Sequence, residues 1–266
     1  MNLVDVHCHL NHKDFQNNLE EVLERAKKAG VKVILCSGVN HPANEEVLAL
    51  AKKYPQIKCS LGLYPIDLLG LGPDEVGITR QIGNINLAEE LDFIRQHQKK
   101  VVSIGEVGLD FHWDKEHWEQ QKENFRKIIR FAKEINKPLI IHSRDAEKEC
   151  IDILEEEIKD KEIPVSMHCF SGNKKLIKRA ADAGFYFSIP PNIVKLQHFQ
   201  TLVEMVDLKQ LFTETDAPWL SPFPGKKNEP AYVIEAIKKI AEIKKLSAEE
   251  VAKQIWENYE RVFLNK

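Results

Sequence analysis

The chain has 266 residues, of which 43% are hydrophobic and 30% charged, and a formal net charge of -3. It is long enough to bury a full core without staples, and its near-neutral charge argues against bulk electrostatic capture of nucleic acid while leaving room for a local basic patch. Five scattered cysteines (Cys8, Cys36, Cys59, Cys150 and Cys169) contain no C-x-x-C and argue against a disulfide framework. No apolar run reaches membrane-spanning length and the N-terminus has no signal-peptide pattern, so the expectation is a cytoplasmic protein with no membrane role.

In chain order, short runs rich in Val and Ile alternate with longer charged stretches of helical period. Strands are predicted near 3–9, 32–37, 58–63, 101–106, 138–142, 164–169, 184–188 and 211–216. Helices are predicted near 17–29, 43–54, 87–98, 116–136, 145–160, 173–183 and 196–206, with two more near 230–243 and 247–262. In the helix near 116–136, Trp118, Phe125, Ile128, Ile129 and Ala132 recur at helical spacing, and Asn136-Lys137-Pro138 stops it. Residues 64–86 read as a long loop over one end of the fold.

This alternation predicts βαβ units and a parallel sheet. Eight strands over this length favour one α/β domain spanning 1–266, a (β/α)8 TIM barrel with room for slight distortion and with extra C-terminal helices. The absence of G-x-G-x-x-G and of G-x-x-x-x-G-K-[ST] removes the usual dinucleotide and P-loop readings.

Polar residues gather at the predicted strand ends. Along Leu3 to His9, period-two alternation puts Asp5, His7 and His9 on one face, with Val4, Val6 and Cys8 on the other, towards the helical shell. Glu106 ends the fourth strand, His142 the fifth, His168 the sixth and Asp216 the eighth. In a parallel barrel these ends share one rim, where active sites sit. Each residue alone has an ordinary reading, as a hydrogen-bonded rim imidazole, a salt-bridged carboxylate or a helix cap. Six at one rim point to a mixed nitrogen and oxygen metal site suited to Zn, Mn, Fe or Co, and less to Mg.

That set exceeds the three protein ligands of one catalytic zinc and favours two ions sharing a carboxylate bridge, with Glu106 the best bridge. Such a pair lowers the pKa of a bound water, and Asp216 is the candidate to take its proton. Asp5, one step deeper, is expected to orient a ligand histidine. The other six histidines read mostly as surface residues.

Arg144, in the run after His142, and Lys226 and Lys227, on a Pro/Gly loop after Asp216, are candidate phosphate contacts; an ion pair and a solvated turn are the ordinary alternatives. Phe170 and Trp219 could stack on a base or simply pack under loops.

The segments "DVHCHL" (5–10), "SIGEVGLDFHWD" (103–114), "PLIIHSRDA" (138–146), "MHCFSGN" (167–173), "TETDAPWLSP" (213–222) and "KKNEPAYV" (226–233) resemble the TatD-type metal-dependent deoxyribonucleases of the amidohydrolase-like barrel superfamily. The resemblance spans nearly the whole chain. It implies a barrel with divalent metals at the C-terminal rim: His7, His9, Glu106 and Asp216 around a first ion, and Glu106, His142 and His168 around a second. It also implies DNA as substrate, as single strands or 3′ ends, with two divalent ions drawn from Mg, Mn, Zn, Co or Ni. No obligate protein partner is expected.

One departure is visible. The family commonly carries G-x-H-P-H after strand three, whereas this chain reads "GLYPID", placing Tyr64 and Ile66 where pocket histidines would stand. Tyr64 is therefore a candidate substrate contact, and substrate preference is the property most exposed to the change. Two rivals stay open on sequence: a hydrolase of a small ester, lactone or amide on the same site, and a non-catalytic metal-containing scaffold.

Overall fold

The computed structural model describes residues 1–72, 77–80, 83, 85–159 and 162–264. Positions 73–76, 81, 82 and 84 of the predicted loop, 160 of a predicted helix and 265–266 of the expected domain lie outside them.

Eight parallel strands form one sheet in sequence order. They are β1 (Leu3–Cys8), β2 (Val31–Ser37), β3 (Ile57–Leu61), β4 (Val101–Gly108), β5 (Leu139–His142), β6 (Val165–Met167), β7 (Tyr186–Ile189) and β8 (Leu211–Thr213). Around them run α1 (Leu19–Ala29), α2 (His41–Lys53), α3 (Pro65–Leu68), α4 (Leu87–Gln96), α5 (Trp118–Glu134), α6 (Glu147–Glu157), α7 (Lys174–Asp182), α8 (Gln197–Met205), α9 (Val233–Lys244) and α10 (Ala248–Phe263). This is the expected (β/α)8 barrel with extra C-terminal helices.

Local chemistry accounts for the boundaries. The Asn40 side chain caps α2 by accepting from the Ala43 N–H, and Ser247 with Glu250 forms a capping box on α10. α5 buries Phe125, Ile128, Ile129 and Ala132 on one stripe, as predicted, but leaves Trp118 41% exposed. The strands are apolar along almost their whole length because both faces are covered. No helix among the described residues is long and apolar enough to cross a membrane.

Two differences from expectation shape the rim. First, β6 and β8 end early, so His168 and Asp216 lie just past their strands, and Asp216 takes a left-handed backbone (φ 54°). Asp is among the few residues that tolerate that conformation. Second, the predicted long loop contains α3, whose residues Tyr64 (its N-cap) and Ile66 pack with Val39, Ala43 and Ile78 in a small apolar cluster beneath Trp219.

The barrel closes between β8 and β1 through individual hydrogen bonds. The Thr213 hydroxyl donates to the Val4 carbonyl (2.7 Å), the Asp216 N–H to the His7 carbonyl (2.9 Å) and the His9 N–H to the Ala217 carbonyl (2.9 Å). Asp5 ties the same seam. Its carboxylate accepts from the Thr215 N–H (2.9 Å), the Thr215 hydroxyl (2.5 Å) and the His7 N–H (3.3 Å). Asp5 thus fixes the backbone beside the site, and the expectation that it orients a ligand imidazole is corrected: its oxygens are taken up by the Thr215 N–H and hydroxyl and by the His7 N–H.

Candidate metal centre

The six strand-end residues converge, although His7 and Asp216 are far apart in sequence. Nε2 of His7 lies 3.3 Å from Oε2 of Glu106 and 3.4 Å from Oδ1 of Asp216. Nε2 of His9 lies 3.3 and 3.5 Å from the same two oxygens. On the other side of Glu106, Oε1 is 2.8 Å from Nδ1 of His142. Three triads each place their donor atoms within 4.8 Å of one another: His7–His9–Glu106, Glu106–His142–His168 and His7–His168–Asp216. Glu106 belongs to two of them, one oxygen directed to each side.

These distances test whether the residues fit a metal. Nε2 of His7 is buried and has no hydrogen-bond partner despite two carboxylates nearby. Four ligands about 2.0–2.1 Å from a common centre have tetrahedral edges of roughly 3.3–3.4 Å. The four separations among His7, His9, Glu106 and Asp216 match those edges. Too long for good hydrogen bonds and right for co-ligands, they fit an ion.

A second layer orients the imidazoles. His9 donates through Nδ1 to the Ser37 carbonyl (3.1 Å), leaving Nε2 as a lone pair. The Ser37 hydroxyl meets Nδ1 of His7 at 3.0 Å. His168 gives Nδ1–H to Glu214 (2.7 Å), whose other oxygen accepts from the Cys169 N–H (2.9 Å). Nε2 of His142 bonds Oδ2 of Asp110 at 2.8 Å, which turns its Nδ1 towards Glu106. Such partners set the tautomer and raise ligand basicity.

The charges reinforce one another. Burial alone would raise the Glu106 carboxyl, but His142, His7 and His9 hold it well below the usual carboxylate range. Burial would likewise raise Asp216, yet His168, His7 and His9 bring it below that range. Burial opposes protonation of His9, but Asp216 and Glu106 push it up to about 9. His142, buried and pulled the other way by Asp110 and Glu106, also reaches about 9. The same two carboxylates that act on His9 carry His7 well above its ordinary value. Such excess affinity for protons at a buried cluster is what cations would satisfy.

β4 can bring Glu106 this close because Gly62 directly follows β3. A Cβ on Gly62 would lie 2.3 Å from the Glu106 nitrogen, and the buried Asn44 side chain grips both the Gly62 N–H (3.1 Å) and carbonyl (2.9 Å).

A pocket of about 390 Å³ opens over the centre, lined among others by His9, Tyr64, Arg80, Arg144 and Trp219. A larger hollow of about 730 Å³ around Tyr186, Lys209 and Arg261 lies at the opposite strand ends and holds none of the candidate ligands. Arg144 is exposed at the pocket, 5.5 Å from the Trp113 ring, while Asp145, its pairing alternative, bonds His112 instead (3.0 Å). Tyr64 is in the pocket wall, but its hydroxyl donates to Asp110 (2.5 Å) and so supports His142 indirectly. Lys226 and Lys227 do not line the pocket: Lys226 lies over the Phe223 ring and Lys227 pairs with Asp14. Phe170 is fully buried against Phe187 and is a packing residue, whereas Trp219 meets His9 and His12 edge-on. His12, expected at the surface, is 3% exposed.

Ser37, Asp110, Glu214 and Arg80 were not singled out in the sequence. Glu214 and Asp110 could have been, since "TETD" and "GEVGLD" place them two and four residues from candidate ligands. Cys8, as expected, faces away, its thiol directed to the Leu35 carbonyl.

A family model described as TatD related DNase matches residues 4–264. The chain is 35% identical over 265 residues to a Bacillus subtilis protein named "Uncharacterized metal-dependent hydrolase YabD", covering 98% of each chain. It is 34% identical over 267 residues to the human protein named "Deoxyribonuclease TATDN3", covering 98% of this chain and 94% of that one. Among solved structures, YJJV, a TatD homologue from Escherichia coli, superposes with a TM-score of 0.85 at 26% identity over 98% of both chains.

Proposed function

Because the chain belongs to the TatD related DNase family of metal-dependent hydrolases, we propose that it is a binuclear deoxyribonuclease that hydrolyses phosphodiester bonds at the ends of single-stranded DNA, the 3′ end first. The observation that carries this reading is the shared Glu106, with four ligand edges of 3.3–3.5 Å on one side and His142 on the other. One hydrolytic unit over residues 1–266 would hold one ion with His7, His9, Glu106 and Asp216, and a second with Glu106, His142 and His168.

Two bound divalent ions supply an acidic water and positive charge for the developing oxyanion. The chain's own groups do the rest. Asp216, at the edge of the donor set beside His7 and His168, is the carboxylate that would accept the proton of the attacking water. Arg144 meets the phosphate at the pocket wall. About 390 Å³ is at the small end of ligand pockets, which favours one terminal nucleotide over a strand threading through.

Metal content of the purified protein should approach two ions per chain. Single-stranded oligodeoxynucleotide should be shortened with at least one of Mg, Mn, Zn, Co or Ni, and Glu106→Ala should lose both the second ion and turnover. If no phosphodiester is cut with any of these metals while an ester, lactone or amide is, the nuclease reading fails and the small-molecule reading replaces it. A fully metallated protein that turns over nothing would be a scaffold. Retained turnover in Glu106→Ala would remove the bridge.

A further inference from the structure

Arg80 enters the pocket from the long segment between β3 and α4, and its hydrogen bonding is half used. Nη1 makes both of the hydrogen bonds that its side chain forms among the described residues, to Oδ1 (2.9 Å) and Oδ2 (2.8 Å) of Asp67. Its Nε is buried and has no partner. The Nε–Nη2 edge, the planar fork that matches two oxygens of a phosphate, is therefore left over. Leaving a buried donor of a charged group unmet is costly.

Residues 77–79, which lead directly into Arg80, are held in place. The Lys13 N–H donates to the Gly77 carbonyl (2.8 Å), the Asn40 side chain to the Thr79 carbonyl (3.0 Å) and the Thr79 hydroxyl to Glu46 (2.7 Å). Ile78 joins the apolar cluster of Tyr64 and Ile66. Gly77 has φ 144°, and a Cβ there would sit 1.8 Å from Nε2 of His12, so only glycine lets the segment lie this low. The Arg80 guanidinium itself stands 5.6 Å from the Tyr64 ring. Its side chain is 13% exposed and lines the pocket with Glu106, His142 and Arg144.

We infer that Arg80 is a substrate-binding residue whose Nε–Nη2 edge grips a phosphate group of the substrate, with Asp67 and Asn40 as positioning residues that hold the guanidinium through Nη1. Asn40 donates to Asp67 Oδ2 (2.6 Å), which completes the brace. On the wall where Tyr64 presents a ring and Ile78 an aliphatic chain, Arg80 supplies the anion contact. This inference rests on the phosphodiesterase reading above and names the anion clamp of that same site.

The test uses metal-loaded full-length protein and inorganic phosphate as the probe. Phosphate affinity is measured by calorimetry and, separately, kcat and KM on a short single-stranded oligodeoxynucleotide. Arg80→Lys keeps the charge beside Asp67 and removes the fork. Arg80→Met with Asp67→Asn removes both charges together, so no buried carboxylate is stranded. Both variants should weaken phosphate binding and raise KM by about tenfold, with kcat falling by less than KM rises. Phosphate affinity and KM within about twofold of wild type in both variants would overturn the assignment and leave Arg80 a structural partner of Asp67. If the wild type cuts no phosphodiester, phosphate affinity alone decides: its loss in the variants supports the anion clamp while the nuclease reading falls.

Discussion

Asp110→Asn tests how the second layer controls metal binding. In the wild type all four donors around this carboxylate are accommodated. Oδ1 accepts from the backbone N–H groups of His112 (2.9 Å) and Trp113 (3.0 Å), and Oδ2 accepts from the Tyr64 hydroxyl (2.5 Å) and from His142 (2.8 Å). An asparagine keeps its one oxygen on the two backbone groups and turns an NH2 towards the other two donors. His142 then escapes the clash by moving its proton to Nδ1, the atom that faces Glu106. To ligate through Nδ1 it must return to the tautomer in which its Nε2–H faces an NH2 group, at a cost of about 1–3 kcal/mol, or roughly 10- to 100-fold in affinity. Metal titration against a chromogenic chelator should show wild-type affinity for the first equivalent and a 10- to 100-fold weaker second equivalent. Two equivalents bound as tightly as in the wild type would refute the tautomer argument.

Two further outcomes follow from the same geometry. In metal-free protein His9 and His142 titrate near 9, above the ordinary imidazole value of about 6.5. A raised folded-state pKa means stability fully present below about 6.5 and lost as pH rises through 9, so thermal melts in EDTA should fall across that window; a flat or rising melting temperature would contradict it. Gly62→Ala would force a Cβ to within 2.3 Å of the Glu106 nitrogen, so denaturant titration should show a loss of roughly 1–3 kcal/mol and metal affinity should drop with it. Unchanged metal affinity would mean that β4 does not depend on this close approach.

The barrel was legible because its signals are local and repeated: strand-length Val and Ile runs, helical spacing between them, and a stop such as Asn136-Lys137-Pro138. The primary ligands were legible because His and carboxylate ended otherwise apolar strands, and the parallel fold sends every strand end to one rim. Ser37 was not, since a serine closing β2 has no distinctive spacing; its role exists only once His7 is beside it, whereas Asp110, four residues past Glu106, carried a signal that its pairing with His142 explains. Arg80 was the least legible. It sits in a segment without periodicity, and its meaning depends on Asp67, thirteen residues away, reaching it from α3. Strand-end positions also misled slightly, because β8 stops at Thr213 and turns, so that Asp5 meets Thr215 and not an imidazole.

The seam between β1 and β8 has a consequence for how the centre comes into being. His7 and His9 leave the ribosome among the first residues, yet Asp216 and Thr215, which close the seam on Asp5, are made some 210 residues later. At about 5–20 residues per second this separates them by roughly 10–40 s. During that interval the two histidines have Ser37 and then Glu106 beside them but lack Asp216, and the long loop closure they await is the slow kind. Ring closure and completion of the donor set are therefore one event, and a nascent or truncated chain carries the histidines without the centre.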